Sequence, residues 1–126
     1  MASIGNTVLD SGLGQLNTTT GIADDLHICS QEPTTYTQAT STYTLGDKNG
    51  ITVTGPADRA GGGREVTVTA ITDGDVTATG TATHWAIVDV GGTDLLATGS
   101  LSASQAVTSG NTFSLTSFTV GIPDPA

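Results

Sequence analysis

The stretch THWAIVDVGGTDLLATGSL, residues 83–101, decides the fold class because it places a Gly-Gly turn between two apolar runs. An extended strand points successive side chains to opposite faces, so a half-buried strand alternates apolar and polar residues. From His84 to Val88 both faces are apolar instead. This pattern predicts a central strand covered on both sides, or one end of it sealed by a loop. We expect Trp85, Ile87 and Val88 to be largely buried.

Further strands are expected on both sides of this stretch. DLHICS predicts a buried strand with Leu26, Ile28 and Cys29 in the core, and REVTVTAIT alternates with a period of two. Asp73-Gly74-Asp75 predicts a hairpin turn, because Asp-Gly tolerates positive φ. A last hairpin is expected around residues 109–111, with a bulge between Leu115 and Phe118. The polar residues 31–50 are interpreted as a long excursion with turns.

The composition agrees with an all-β chain. Of 126 residues, 36% are apolar, only 4% are aromatic and 17 are glycine, and about a fifth are threonine, a β-branched residue that suits pleated sheets. We therefore predict an antiparallel β-sandwich or barrel in one domain. Residues 1–25 are expected to form an N-terminal arm, irregular or with a short helix. Residues 26–122 would form the sandwich, and 123–126 a tail.

The charge balance bounds the partners. Twelve acidic residues against three basic ones give a net charge of −9. Phosphate binding requires Lys and Arg to displace counterions, so the charge argues against nucleic acid and anionic membranes as partners. The three basic residues, Lys48, Arg59 and Arg64, fall within one short region. They are either part of a solvated loop or a positive patch that docks against carboxylates of another molecule.

Targeting signals are not recognised in the sequence. A single cysteine, Cys29, excludes an internal disulfide framework. The first residues, MASIGNTVLDSGLGQL, have neither a basic region nor the long apolar run of a signal peptide, and no stretch approaches membrane-spanning length. We expect a chain that is made in the cytoplasm and is not secreted by the usual route.

His84 and Trp85 are the most tempting candidates for chemistry. A histidine can act as a base and a tryptophan as a stacking platform, but catalysis also needs a nucleophile and an orienting group. The nearest carboxylate in sequence, Asp89, lies at odd spacing and would face away from His84 on an ideal strand. A core tryptophan beside a hydrogen-bonded histidine is the better interpretation, and we predict that the chain is not an enzyme.

No metal or cofactor site is predicted either. His27 and Cys29 share one face of a strand, but a zinc site commonly takes four ligands and no second cysteine exists. Cys29 is interpreted as a small buried hydrophobe. Asp73-Gly74-Asp75 lacks the further oxygen ligands of a calcium loop. Gly61-Gly62-Gly63 lacks the Lys-Ser/Thr of a phosphate loop.

The C-terminal half resembles a known pattern. GTATHWAIVDVGGTDLLATGSLSASQAVTSGNTFSL is similar to small structural proteins of tailed bacteriophages and prophages, in which an ATHWALxD strand precedes LLATGxL and a VTSGNTFxL hairpin. LHICSQEPTTYTQATSTYTLG resembles the N-terminal part of those chains. The resemblance covers about residues 26–123, and its motifs are turns and core residues. It implies a fold family and no catalytic residue.

The resemblance implies a virion protein made in the host cytoplasm. A capsid decoration (cement) protein that docks on the surface of the major capsid shell and stabilises the head is expected first, and a tail- or fibre-associated subunit is the alternative. A metal- or sugar-binding accessory domain of an enzyme remains a third class. The expected partners are the major capsid protein and neighbouring copies, as a homo-oligomer on the particle. Eight residues are the predicted contacts: Ile4, Val8, Leu9, Tyr36, Tyr43, Lys48, Arg59 and Arg64.

Overall fold

The computed structural model describes residues 12–19 and 21–122, and their backbone is mostly antiparallel β-structure. Two short helical turns, a 3₁₀ turn at Gly14–Leu16 and a π-helical turn at Gln38–Thr42, interrupt the strands. The strands are β1 Asp25–Cys29, β2 Thr44–Asn49, β3 Val53–Asp58, β4 Arg64–Val68, β5 Ile71–Val76, β6 Gly80–Asp89, β7 Asp94–Val107, β8 Thr112–Leu115 and β9 Phe118–Ile122.

The strands form two sheets. One has six strands in the order β7-β6-β1-β2-β5-β8, and the other has three in the order β3-β4-β9. Every strand pair described is antiparallel. The predicted all-β class, with one antiparallel domain, is confirmed.

The opening stretch forms the β6–β7 hairpin, with Asp89 paired to Asp94 across the Gly-Gly turn. β6 is hydrogen-bonded on both sides, to β7 and to β1. Trp85 and Ile87 pack into the core between the sheets, whereas Ala86 and Val88 pack into a second cluster on the other face. The predicted burial of this strand on both faces is therefore confirmed.

The six-stranded sheet is curled. β7 and β8 lie at its opposite ends, yet only residues 108–111 separate them along the chain. Gln105 Nε2 in β7 donates a hydrogen bond of 3.1 Å to the Ser114 carbonyl in β8. The two ends of the sheet are thus brought together into a half-barrel.

The main core fills the space between the two sheets. Val53, Val66 and Val68 of the small sheet meet Leu26 and Ile28 of the large one in one cluster of buried side chains. The arm contributes as well: Leu13 and Leu16, on the helical turn, are 3% and 7% exposed. The described end of the arm therefore belongs to the chain's own core.

Three local predictions are wrong. Asp73-Gly74-Asp75 forms no hairpin turn but lies within β5, beside a register shift between Ile71 and Gly74. The stretch of residues 31–50, predicted to be a long excursion with turns, contains the strand β2. Its polar composition gave no strand pattern. The turn at 109–111 exists, with Asn111 N–H donating to the Thr108 carbonyl, but the strands that flank it are not neighbours in the sheet.

The predicted bulge between Leu115 and Phe118 is also wrong. β8 ends at Leu115 in the six-stranded sheet, and β9 begins at Phe118 in the three-stranded sheet. The change of phase in the apolar pattern marks a chain that crosses from one sheet to the other. A bulge would have kept both segments in one strand.

Candidate functional site

His84 and Trp85 point to opposite sides of β6. The Trp85 ring packs against Phe118 of the other sheet, with centroids 4.7 Å apart and planes at 40°. His84 Nδ1 lies 2.9 Å from Thr83 Oγ1, and its Nε2 lies 3.4 Å from Ser100 Oγ. These hydroxyls account for the ring nitrogens. The arrangement agrees with a core tryptophan beside a hydrogen-bonded histidine.

A cleft of about 430 Å³ adjoins Trp85 where the half-barrel comes together. Its walls are the β7 segment from Ser100 to Gln105 and the residues 114–118 that connect β8 to β9. β7 forms a bulge here, in which the four residues 101–104 lie opposite the single residue Thr83 of β6. Its lining combines serine and threonine hydroxyls and the Gln105 amide with apolar side chains, of which Trp85 and Phe118 supply the aromatic surface.

Two of the predicted contact residues, Tyr36 and Tyr43, flank the π-helical turn. Both are half-buried against the second cluster, which consists of Cys29, Ala39, Ala86 and Val88. Their rings thus cover the outer face of the six-stranded sheet. The predicted contacts Ile4, Val8 and Leu9 lie outside the described residues.

The three cationic side chains lie in two separate places, one on the six-stranded sheet and two beside the β3–β4 turn. Lys48 of β2 forms an ion pair of 3.1 Å with Asp73 of β5. Arg64 pairs with Asp58 at 2.6 Å, and Arg59 Nη1 donates to the Gly62 carbonyl at 3.1 Å. Arg59 and Arg64 flank the β3–β4 turn, so the structure brings these two together without Lys48.

Two exposed apolar side chains add a surface feature that the sequence did not single out. Ile22 is 40% exposed and Val90 is 44% exposed. Asp24 lies between Ile22 and β1 in the chain, and its Oδ2 accepts a hydrogen bond of 3.0 Å from the Val90 amide. The alternating-strand pattern gave no reason to select either residue, because Ile22 precedes β1 and Val90 follows β6.

The long β7 strand has a free edge. It pairs with β6 on one side and has no strand neighbour on the other among the described residues. Edge strands usually carry charges or proline that prevent pairing with another chain. From Leu95 to Val107 this strand carries neither, although the chain contains twelve acidic residues. The edge strand β3, by contrast, contains Pro56 and Asp58.

Cys29 and His27 lie on the same face of β1, as predicted, but they do not share a site. The Cys29 thiol is fully buried and donates to the Ala39 carbonyl at 3.7 Å. Desolvation raises the pKa of Cys29 to about 11, so the thiol stays protonated at neutral pH. Its interpretation as a buried small hydrophobe agrees with this environment.

His27 instead lies among carboxylates. One ligand atom each from Asp25, His27 and Asp47 lies within 4.8 Å of the other two. The register explains this grouping, since His27 pairs directly with Asp47 and Asp25 pairs with Asn49 on β2. Directly paired residues have Cβ atoms about 4.5–5.5 Å apart. We call these four residues the β1–β2 polar cluster.

The Thr44 hydroxyl lies between His27 and Gly46. Thr44 Oγ1 is 2.9 Å from His27 Nδ1 and 3.2 Å from the Gly46 carbonyl oxygen. When the hydroxyl donates to Gly46, its oxygen accepts from Nδ1–H, and Nε2 then carries the lone pair. Burial lowers the pKa of His27, against the opposing effect of Asp47 and Asp25, and so favours the neutral imidazole.

The sequence pattern did not predict the polar cluster, because half of it comes from β2. Asp25 and His27 alternate within DLHIC, and Asp47 and Asn49 alternate within TLGDKN. The second segment lies in the stretch interpreted as a long excursion with turns, where no strand partner for β1 is expected. The alternation of Asp47 and Asn49 is the signal that could have identified β2 and placed the two aspartates together.

Comparisons of the chain with family models, with curated proteins and with solved structures found no match in any of the three. In the part of the chain that the structure describes, no helix has the length and apolar character needed to cross a membrane.

Proposed function

We propose that this protein is a structural subunit of a bacteriophage particle. In this proposal it is a capsid decoration protein that docks on the major capsid shell and on neighbouring copies, and so stabilises the head. The alternative is a tail- or fibre-associated subunit. The motif that resembles small phage structural proteins supplies β6, the Gly-Gly turn, β7 and β8. Its apolar residues and turns serve the fold, which suits a structural role better than catalysis.

The free edge of β7 is the observation that carries the proposal. An edge strand exposes unpaired backbone N–H and C=O groups, which another chain can pair with as an added strand. At 14 residues β7 is the longest strand in the described part of the chain. From Leu95 to Ser100, before the bulge at residues 101–104, it carries no charge or proline that would prevent such pairing.

Electrostatics favour the same edge as the place of contact. Copies with a net charge of −9 repel one another, and the repulsion is weakest where surfaces without charge approach. Each contact of this kind contributes a modest interface, and repetition over a shell multiplies its effect. We therefore expect β7 to lie at a subunit contact. The arm residues Ile4, Val8 and Leu9 and the half-buried Tyr36 and Tyr43 remain proposed contacts to the shell.

The cations have a secondary role in this proposal. Arg59 and Arg64 lie beside the β3–β4 turn and would meet carboxylates of a partner there. Lys48 lies on the other sheet and would make a separate contact. Since each of them also has a partner within the chain, we expect their substitution to change the rate and salt dependence of docking more than its specificity.

The experiment adds purified protein to particles that lack it and measures bound copies and the temperature at which the heads open. Ser102→Lys places a charge on an exposed position of the β7 edge, and Thr67→Lys places the same charge on an exposed position of the central strand β4. We expect Ser102→Lys to lower binding at least about tenfold and Thr67→Lys to leave it unchanged.

Two outcomes would count against the proposal. Equal binding of both variants would remove β7 from the contact. Binding confined to tails, with unchanged heat resistance of the heads, would favour the tail- or fibre-associated alternative. Circular dichroism of each variant confirms that the domain is folded before binding is compared.

A further inference from the structure

We propose that Asp25, His27 and Asp47 form a binding site for one divalent metal ion, with Zn²⁺ preferred over Ca²⁺. The three side chains supply two carboxylates and one imidazole from two adjacent strands. Three protein ligands plus water is a common ligand set for Zn²⁺, whereas Ca²⁺ takes six to eight oxygen ligands. This inference is independent of the proposed role in a phage particle.

The backbone fixes the positions of the ligands. Asp25 and His27 are two residues apart on β1, so their side chains leave the same face. Asp47 lies directly opposite His27 on β2. The ligand atoms lie within 4.8 Å of one another, and ligands in a tetrahedral shell of ~2 Å bonds lie roughly 3.3 Å apart. If side-chain rotation moves each ligand atom by about 1 Å, the three atoms reach this spacing with no change in strand register.

The Thr44 hydroxyl orients the His27 ring. The residue is 8% exposed, and its Nδ1 lies 2.9 Å from Thr44 Oγ1. Histidines that bind metals usually donate their other ring N–H to such a partner, which fixes the tautomer and the ring orientation. Nε2 has no hydrogen-bond partner among the described residues. Since no buried side-chain nitrogen or oxygen in that part of the chain lacks a partner, Nε2 reaches the surface, where a metal ion can approach it.

Asn49 lies beside both carboxylates. Its amide nitrogen donates hydrogen bonds of 2.8 Å to Asp25 Oδ2 and to Asp47 Oδ2, because the opposite orientation of the amide would place its oxygen against acceptors only. Asn49 therefore holds the two carboxylates next to each other, in a position where both can bind one cation.

The charge of the cluster favours a cation. The carboxylates of Asp25 and Asp47 lie close together beside the His27 ring. A bound dication compensates the two carboxylate charges and uses the neutral imidazole as a ligand. Single exposed carboxylates elsewhere on this acidic surface attract cations without forming a defined site. A saturable site would therefore depend on the cluster.

The test is calorimetric titration of ZnCl₂ into the untagged full chain after removal of metal with EDTA. We expect one saturable site per chain and a higher melting temperature with Zn²⁺. Asp47→Asn keeps the shape of a half-exposed side chain and should weaken binding at least about tenfold. His27→Gln should do the same. If His27→Gln does not fold, Asp47→Asn alone decides.

Two control variants distinguish this site from diffuse binding and from a thiol ligand. Asp58→Asn makes the same charge change on the opposite sheet and should bind Zn²⁺ like the parent. Cys29→Ala should also keep the site, which excludes the thiol as a ligand. Substitution with Co²⁺ should give absorption bands typical of mixed nitrogen and oxygen ligands, and Asp47→Asn should lose them.

Three results would overturn the proposal. The first is the absence of a saturable site in the parent chain. The second is equal affinity of Asp47→Asn and Asp58→Asn, which would indicate diffuse binding to an acidic surface. The third is a melting temperature that Zn²⁺ does not change while Asn49→Ala lowers it, because Asn49 would then act only as a hydrogen-bonded clasp between the two carboxylates.

Discussion

The two faces of β1 differ in what they contact and in how readily the sequence predicts them. On the inner face Leu26 and Ile28 are buried between the two sheets. On the outer face Asp25 and His27 belong to the polar cluster, and Cys29 lies under the π-helical turn. The inner face depends on apolar burial, which tolerates many partners. The outer face depends on particular hydrogen bonds and charges, and therefore on one register with β2.

Replacing Trp85 is expected to give the largest effect and tests the inner face. Trp85→Ala removes a side chain that is 8% exposed and packs against Phe118 across the core. The loss should lower the free energy of unfolding by about 3–5 kcal/mol, measured by urea denaturation. A change below about 1 kcal/mol would show that the inner face is loosely packed around this ring.

Chemical modification of Cys29 tests the outer face. The thiol has no exposed surface, and its pKa is raised to about 11 from a reference value of 9.0. At pH 8 the thiolate fraction is about a hundredfold smaller than in the unfolded chain, and iodoacetamide reacts with the thiolate. We expect the rate of alkylation, measured by mass spectrometry, to be at least about a hundredfold lower in the native protein than in denaturant. Equal rates would mean that the outer face opens readily.

Gly99→Ala tests how closely the inner face is packed against β7. A Cβ at Gly99 would lie 2.6 Å from Trp85 Cζ2 and 2.8 Å from its Nε1. Neither ring nor backbone can move freely, so overpacking should cost about 1–3 kcal/mol in urea denaturation. Gly110→Ala, at a turn with open space for a Cβ but a φ of 91°, is the comparison. It would lose stability through backbone strain rather than contact, so only Gly99→Ala should change the fluorescence of Trp85.

Thr44→Val is expected to have the smallest effect and tests the hydrogen bond that orients His27. Valine keeps the β-branched shape but cannot accept from Nδ1–H. The free energy of unfolding should fall by about 0.5–1.5 kcal/mol, the usual contribution of one hydrogen bond. The Nδ1–H proton resonance of His27 should broaden through faster exchange with water. An unchanged, protected resonance would assign its protection to another group.

The inner face could be predicted because alternation and apolar runs encode burial directly. Ile28, Val66, Val68 and Ile87 follow this rule, and all are buried in the core. The polar cluster could not be predicted, since Asp47 reaches His27 only through pairing of strands that are separated by an excursion and a π-helical turn. Local turn chemistry also failed at Asp73-Gly74-Asp75, where pairing of β5 with β2 and β8 overrides the preference of Asp-Gly for a turn.

The order of strands in the large sheet has a consequence for how the chain folds. β1 pairs with β6, so Asp25 lies opposite Val88, which follows it by 63 positions in the sequence. Pairings between distant parts of a chain are slow to form, because the entropy of loop closure is lost before the contacts are gained. During synthesis β1 can pair with β2 early, but its other edge stays open until β6 has left the ribosome. The half-barrel can therefore close only after the residues of β8 have also been synthesised.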